Sequence, residues 1–257
     1  MNMTDYNPTE LMACVASRVL EDGRSVLVGT GLPIVAGMLA QRLHAPNLLI
    51  LFEAGGIGPR IPTIPISVGD SRTFHKAVMA ASMDYVMSCA QLGLVDYGFL
   101  GAAQIDMYGN LNTTVIGDHA HPRVRLPGSG GGNDVGSLCR QNIILMRHDK
   151  RRFSERLDFV TTPGYLTGPG ARERAGLPAD TGPHRVITQL CVLGFHPESK
   201  RMTLVSTHPG VTVEEVVGNT GFELVIPDAV PTTDPPTAEE LRLLREEIDP
   251  TGIVIGK

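Results

Sequence analysis

Residues 48–58 read LLILFEAGGIG: apolar side chains from position 48 to 52, then one carboxylate, Glu53, then glycines at 55, 56 and 58. An unbroken apolar run this short, stopped by glycine, fits a strand covered on both faces, as in the parallel sheets of α/β proteins. Open sheets of this kind put their chemistry outside the carboxyl ends of the strands. Glu53 falls at such an end, on backbone that glycine releases from ordinary dihedral limits. A helix cap or a surface turn is the bland reading of the same carboxylate.

The surrounding chain repeats the α/β grammar. Residues 8–22 carry Leu11, Met12, Val15, Val19 and Leu20 at helical spacing, with Thr9 as the expected cap and Gly23 as the stop. A strand at 25–28, the turn GTGLP at 29–33 and a helix over Leu32–Leu43 lead back to the 48–52 strand, which makes a βαβ unit. The GTG turn departs from GxGxxG at Pro33 and Ile34, so close strand–helix packing explains it better than a nucleotide. Residues 59–76 form a proline-punctuated loop, and helical spacing resumes over 77–92. Met79, Met83, Met87 and the later Met107 read as core filler. A strand at 97–101 runs into GAAQIDMYGNLNTT, where Asp106, Asn110 and Asn112 favour turns. Further strands are expected at 142–146, 186–194 and 202–207, the last two forming a hairpin through HPESK. Residues 158–186 read as a surface excursion. A short helix at 212–219, an extended linker at 227–236 and a helix at 238–248 complete a chain expected to form one α/β domain over 1–257.

The 257 residues, 42% of them hydrophobic, are enough for a sizeable core. A net charge of −5 argues against a nucleic-acid partner. The four cysteines, Cys14, Cys89, Cys139 and Cys191, have no CxxC spacing and read as small buried hydrophobes of a reducing compartment. Neither a signal peptide nor an apolar run of membrane-spanning length is visible, so a cytoplasmic protein without a membrane role is expected.

Three polar stretches carry candidate chemistry. His119 and His121 in GDHAHP, with Asp118, form the most metal-like group, but a loop ending in proline gives no fixed ligand geometry, and no metal is expected. In PGSGGGN, residues 127–133, the amides of 130–132 are unobstructed and suit an anion or a developing oxyanion. In HDKRRFSERL, residues 148–157, Lys150, Arg151 and Arg152 are either a phosphate patch or a solvated face.

Taken in order, GTGLP, FEAGGIG, SVGD, GAAQIDMYGN, GSGGGN, RHDKRRF, TTPGY and LREEIDP resemble the class I CoA-transferases, specifically the beta subunits of glutaconate CoA-transferases. The likeness runs from about residue 6 to about residue 250. It implies an open, mostly parallel α/β sheet of about seven strands flanked by helices. It also implies a partner, the homologous alpha subunit, in a heterodimer or an α2β2 heterotetramer. Acyl-CoA and a carboxylic acid would be substrates, with no permanently bound cofactor. On this resemblance Glu53 is the nucleophile that becomes a glutamyl-CoA thioester, and Gly130, Gly131 and Gly132 supply oxyanion donors. Gln104, Gly55, Gly56 and Asn133 belong to the expected substrate-binding set. The family reads ESG where this chain reads EAG: the carboxylate is kept and its neighbour is not. The expected activity is CoA transfer to or from a short dicarboxylic, glutaconate-like acyl group. A decarboxylase or hydrolase on the same fold is the alternative. A non-catalytic protein that only binds acyl-CoA is a more remote one.

Overall fold

A computed structural model describes residues 5–256. The chain divides into two compact units, one running up to Phe99 and resuming at Pro235, the other spanning Leu100–Asp234.

The first unit opens with helix α1 (Pro8–Arg18). Its cap is Asn7 rather than Thr9: the Asn7 carboxamide oxygen accepts from the amides of Thr9 and Glu10, and the Glu10 carboxylate accepts the Asn7 amide in return. Asn7 precedes Pro8, which suits the first helical position. Strand β1 (Ser25–Leu27), helix α2 (Leu32–Leu43) and strand β2 (Leu49–Leu51) then form the expected βαβ unit. Short strands β3 (Gly56–Ile57) and β4 (Met79–Ala80) flank a 3₁₀ turn (Ser71–Phe74) and precede helix α3 (Met83–Gln91) and strand β5 (Tyr97–Leu100). The sheet order is β5-β1-β2-β3-β4, with β1 parallel to both β2 and β5, and the β2–β3 and β3–β4 pairs antiparallel. The helix expected over 77–92 thus starts at Met83. Met79 and Met83 are exposed, and so are not the core filler their spacing suggested.

The second unit contains two small ribbons, β6 (Gln104–Ile105) with β7 (Leu111–Asn112) and β8 (Val115–Ile116) with β9 (Val124–Arg125). Helix α4 (Gly132–Leu138), strand β10 (Gln141–Leu145), helix α5 (Ala171–Arg174) and strands β11 (Pro183–Ile187), β12 (Cys191–Phe195) and β13 (Met202–Thr207) follow, then helix α6 (Val213–Gly218). The order is β13-β12-β11-β10, parallel between β10 and β11 and antiparallel beyond. The strand expected over 186–194 is two strands, because the Thr188 hydroxyl accepts the amides of Leu190 and Cys191 and turns the chain without glycine or proline. Residues 158–186 are not a surface excursion. Arg172, 2% exposed, donates to the carbonyls of Pro163, Gly164, Gly136 and Ser137 and so ties that stretch to the end of α4.

The first unit closes with helix α7 (Ala238–Arg242), capped by Thr237, and a π-helical turn (Leu243–Ile248). Two bidentate ion pairs, Arg18–Glu240 and Arg245–Glu10, bind this end to α1. The α/β class and the flanking helices are as the sequence implies. Among the described residues no helix is long and apolar enough to cross a membrane. Cys14, Cys139 and Cys191 are buried and unbridged, and burial pushes the last two thiols up to about 12.

In the second unit His148 is 2% exposed and stacks on Phe153 at a ring separation of 3.8 Å. Its Nε2 lies 2.9 Å from the Thr220 hydroxyl. Since that hydroxyl donates to the Val216 carbonyl, it accepts from the imidazole. Burial pushes the imidazole down to about 4. The unfolded chain therefore binds a proton over a pH range where the folded chain does not. His148 thus favours folding fully above about pH 6.5, and that contribution is lost as the pH falls toward 4. Denaturant midpoints measured from pH 7.5 to 4.5 should fall by the equivalent of roughly 3 kcal/mol. His148→Gln should flatten that decline. An equally steep decline in the variant would assign it to other groups.

Candidate active site

Glu53 lies on the tip of the β2–β3 hairpin. The Gly55 amide donates to the Phe52 carbonyl at 2.9 Å and the Phe52 amide to the Gly56 carbonyl at 2.8 Å, which leaves Glu53 and Ala54 as the central residues of the turn. Phe52 is fully buried and anchors the strand side. Glu53 is half-buried, and among the described residues its carboxylate makes no hydrogen bond or ion pair.

The tip is fixed by a chain of contacts that starts in the SVGD motif. The Asp70 carboxylate caps the 3₁₀ turn through the Arg72 amide and holds the Arg72 guanidinium at 2.9 Å. These bonds from Arg72 hold the Asp70 carboxyl well below the usual carboxylate range. The Thr73 hydroxyl donates to the carbonyls of Asp70 and Val68. So held, the Thr73 carbonyl lies over Gly56, where any Cβ would collide with it. Gly55, at φ 115°, meets the Ala81 carbonyl in the same way, and its own carbonyl accepts the Ala81 amide at 2.9 Å. The two glycines expected to contact substrate therefore also have a packing reason to be glycine.

In the second unit, the 127–133 segment leads into α4. The Gly132 amide donates to the Ser129 carbonyl at 2.9 Å and the Asn133 amide to the Ser129 hydroxyl at 3.0 Å. Gly130 has φ 49°. Among the described residues the amides of Gly130 and Gly131 have no acceptor. Of the three amides expected as oxyanion donors, two are thus open and the third is used inside the turn. The Asn133 carboxamide is likewise engaged, donating to the Thr161 carbonyl at 2.9 Å.

Gln104 is buried at the start of β6. Its Oε1 accepts from Asn112 at 2.6 Å and from the Asp158 amide at 3.2 Å, and its Nε2 donates to the Asp158 carboxylate at 2.9 Å. Asp158 is a partner that sequence reasoning missed: it belongs to no recognisable spacing and is brought in by the fold. Next to Gln104, Asp106 accepts the amides of Tyr108 and Asn110 and the Asn110 carboxamide. Burial nevertheless raises the Asp106 carboxyl. His119 stacks on Phe159 at 5.2 Å, and Asp118 accepts the amides of Ala120 and His121. Among the described residues no three His, Cys, Asp or Glu side chains converge on a metal site.

A free carboxylate at a strand exit and open backbone amides on a glycine turn suit acyl transfer, which needs a nucleophile and oxyanion donors. Comparison with known proteins agrees. Residues 9–219 match the coenzyme A transferase family, and the chain belongs to it. It is 40% identical to the beta-type subunit of glutaconate CoA-transferase from Acidaminococcus fermentans, over 96% of this chain and 94% of that one. It is 38% identical to the corresponding subunit of 3-oxoadipate CoA-transferase from Pseudomonas knackmussii, over 95% and 94%. The crystal structure of glutaconate coenzyme A-transferase from Acidaminococcus fermentans matches with a TM-score of 0.94 and 38% identity, covering 99% of both chains.

The packing of the hairpin tip is testable by stability alone. Gly56→Ala should cost about 1–3 kcal/mol in denaturant unfolding, since the Thr73 carbonyl must move. Gly29→Ala, where a Cβ meets nothing within 4 Å, should stay within about 0.5 kcal/mol of the parent. Equal effects from the two substitutions would remove the packing argument.

Proposed function

We propose that this chain is the beta-type subunit of a CoA-transferase that moves CoA between a short dicarboxylic, glutaconate-like acyl-CoA and a carboxylic acid, with Glu53 as the covalent nucleophile. The observation that carries the assignment is the Glu53 carboxylate, partnerless among the described residues, at the turn where the β2 strand ends. A carboxylate needs no base to activate it near neutral pH.

In the proposed cycle a Glu53 oxygen attacks the thioester carbon and CoA thiolate leaves, giving a mixed anhydride of Glu53 and the acyl group. The thiolate then attacks the Glu53 carbonyl of that anhydride. This releases the first acid as its carboxylate and leaves a glutamyl-CoA thioester. The incoming acid repeats both steps in reverse order and leaves with CoA, restoring Glu53. No net proton and no water is consumed, so exclusion of water is required for the anhydride to survive. The open amides of Gly130 and Gly131 are assigned to the tetrahedral oxyanions, each such donor contributing roughly 3 kcal/mol. Gln104, Gly55, Gly56 and Asn133 are assigned to holding substrate, the last three through the loops they shape.

The partner we propose is a homologous alpha-type chain, in an α2β2 assembly. That both relatives are single subunits of larger transferases supports this. So do exposed apolar side chains of the first unit such as Val78 (80% exposed), Leu92 (74%) and Leu94 (62%), which a partner would cover.

Co-purified with that partner, Glu53→Gln and Glu53→Ala should lose transfer by at least about a thousandfold with the fold intact. Borohydride reduction after incubation with acyl-CoA should label Glu53 in the parent, as read by peptide mass spectrometry. Full transfer by either variant, or release of CO₂ or free CoA without exchange, would overturn the reading.

A further inference from the structure

The second unit holds a cavity of about 670 Å³ that none of the roles above uses. Three guanidinium groups line it, from two separate parts of the chain. Arg123 comes from the β8–β9 ribbon and Arg151 and Arg152 from the charged run after β10. Only one of the three is balanced: Arg152 donates to the Asp149 carboxylate at 3.1 Å. Arg123 and Arg151 are exposed, and among the described residues their guanidiniums bond nothing.

The charged run is not a loose, solvated loop. Its flanks are pinned by fully buried Phe153 and by His148, and the Asp149 carboxylate accepts the amides of Arg151 and Arg152. The Arg152 carbonyl accepts the Ile105 amide at 2.7 Å, beside Gln104. The guanidiniums are thereby presented from a backbone that needs no ordering on binding. Between them lies an apolar wall, Ile116 and Val124, paired directly across the β8–β9 ribbon. Val124 is 46% exposed, an unusual position for valine that a flat apolar ligand surface would cover. Gln104 forms another part of the lining.

We infer that this cavity binds the phosphorylated nucleotide end of coenzyme A. Arg123 and Arg151 would take its phosphates, and the Ile116–Val124 pair would receive the base or the pantetheine arm. The inference rests on the CoA-transferase reading and adds to it a location for the nucleotide on this chain. A single acyl carboxylate would be satisfied by one arginine fork, whereas the nucleotide end of CoA carries a diphosphate and a further phosphate, and so suits several. The volume is that of a site for a molecule of this size rather than for a small acid. Locally positive charge on a chain of net charge −5 also concentrates phosphate ligands there.

The test uses the chain assembled with its partner, as parent, Arg123→Ala, Arg151→Ala and the double variant. Neither side chain is bonded within the fold, so unchanged circular dichroism and thermal midpoints are expected. Titration calorimetry with 3′,5′-ADP, the phosphorylated nucleotide portion of CoA, should show binding that weakens about tenfold in each single variant and weakens with salt in the parent. In turnover, the preference for an acyl-CoA over the same acyl group on pantetheine should fall by about the same factor. Unaltered 3′,5′-ADP binding in the double variant would overturn the inference and return the arginines to a solvated face. Equal losses with both thioesters would also overturn it, assigning the pair to the acyl carboxylate. Should no thioester be turned over by any form, the transferase reading fails. The calorimetry then still reports on the cavity by itself.

Discussion

Two carbonyl oxygens, those of Thr73 and Ala81, stand where side chains at positions 56 and 55 would have to be, and the orientation of Glu53 follows from that contact. With any larger residue at either position the hairpin tip would lift away from the 73–81 segment, and the carboxylate with it. The glycines thus act less through flexibility than through absence of bulk. Behind the Thr73 carbonyl stand the Asp70 cap and the Arg72 guanidinium that shape its turn. A motif that bears no chemistry of its own, SVGD, therefore positions the residue that does.

Polar groups organise the second unit in a comparable way. Gln104, Asn112, Asp158, Asp106 and Asn110 form a set in which each carboxamide or carboxylate is answered by a side chain or backbone group. Arg172 does the same for four carbonyls that would otherwise be buried without donors. Satisfied networks of this kind are rigid, because any displaced member leaves a buried group unpaired. Rigidity suits a surface that must keep backbone amides aimed at one point through several chemical steps.

How much of this is legible in sequence depends on the range of the cause. The α2 helix is legible to the residue because its signals are local: apolar spacing between Gly31 and the end of the run at Leu43. The carboxylate at the end of the 48–52 run is visible for the same reason. The reason for Gly55 and Gly56 is hidden, since their partners lie on a later loop. The region 77–92 misleads because Val78, Met79 and Met83 fall at helical intervals while two of them flank or form an exposed edge strand. The turn at 188–190 has no glycine or proline, only a threonine hydroxyl that folds back on two amides. In 158–186 the turn residues are plain to see, yet a single buried guanidinium draws that stretch inward, and no spacing announces it. Family likeness supplied the roles of Glu53, Gln104 and the glycine turn. The geometry adds that one of the three turn amides is already spent, on Ser129.

The chemistry assigned to Glu53 also explains why its surroundings are so plain. A general acid needs its carboxyl raised by burial, and a carboxylate in an ion pair is stabilised as the anion and blunted as a nucleophile. A carboxylate that must attack, carry CoA and then leave unchanged is best served by neither. Half-buried and without a partner among the described residues, Glu53 meets that requirement. The demand for dryness then falls on whatever closes over the tip once substrate is bound. A transferase whose nucleophile stands open on one chain has a physical reason to be built from two.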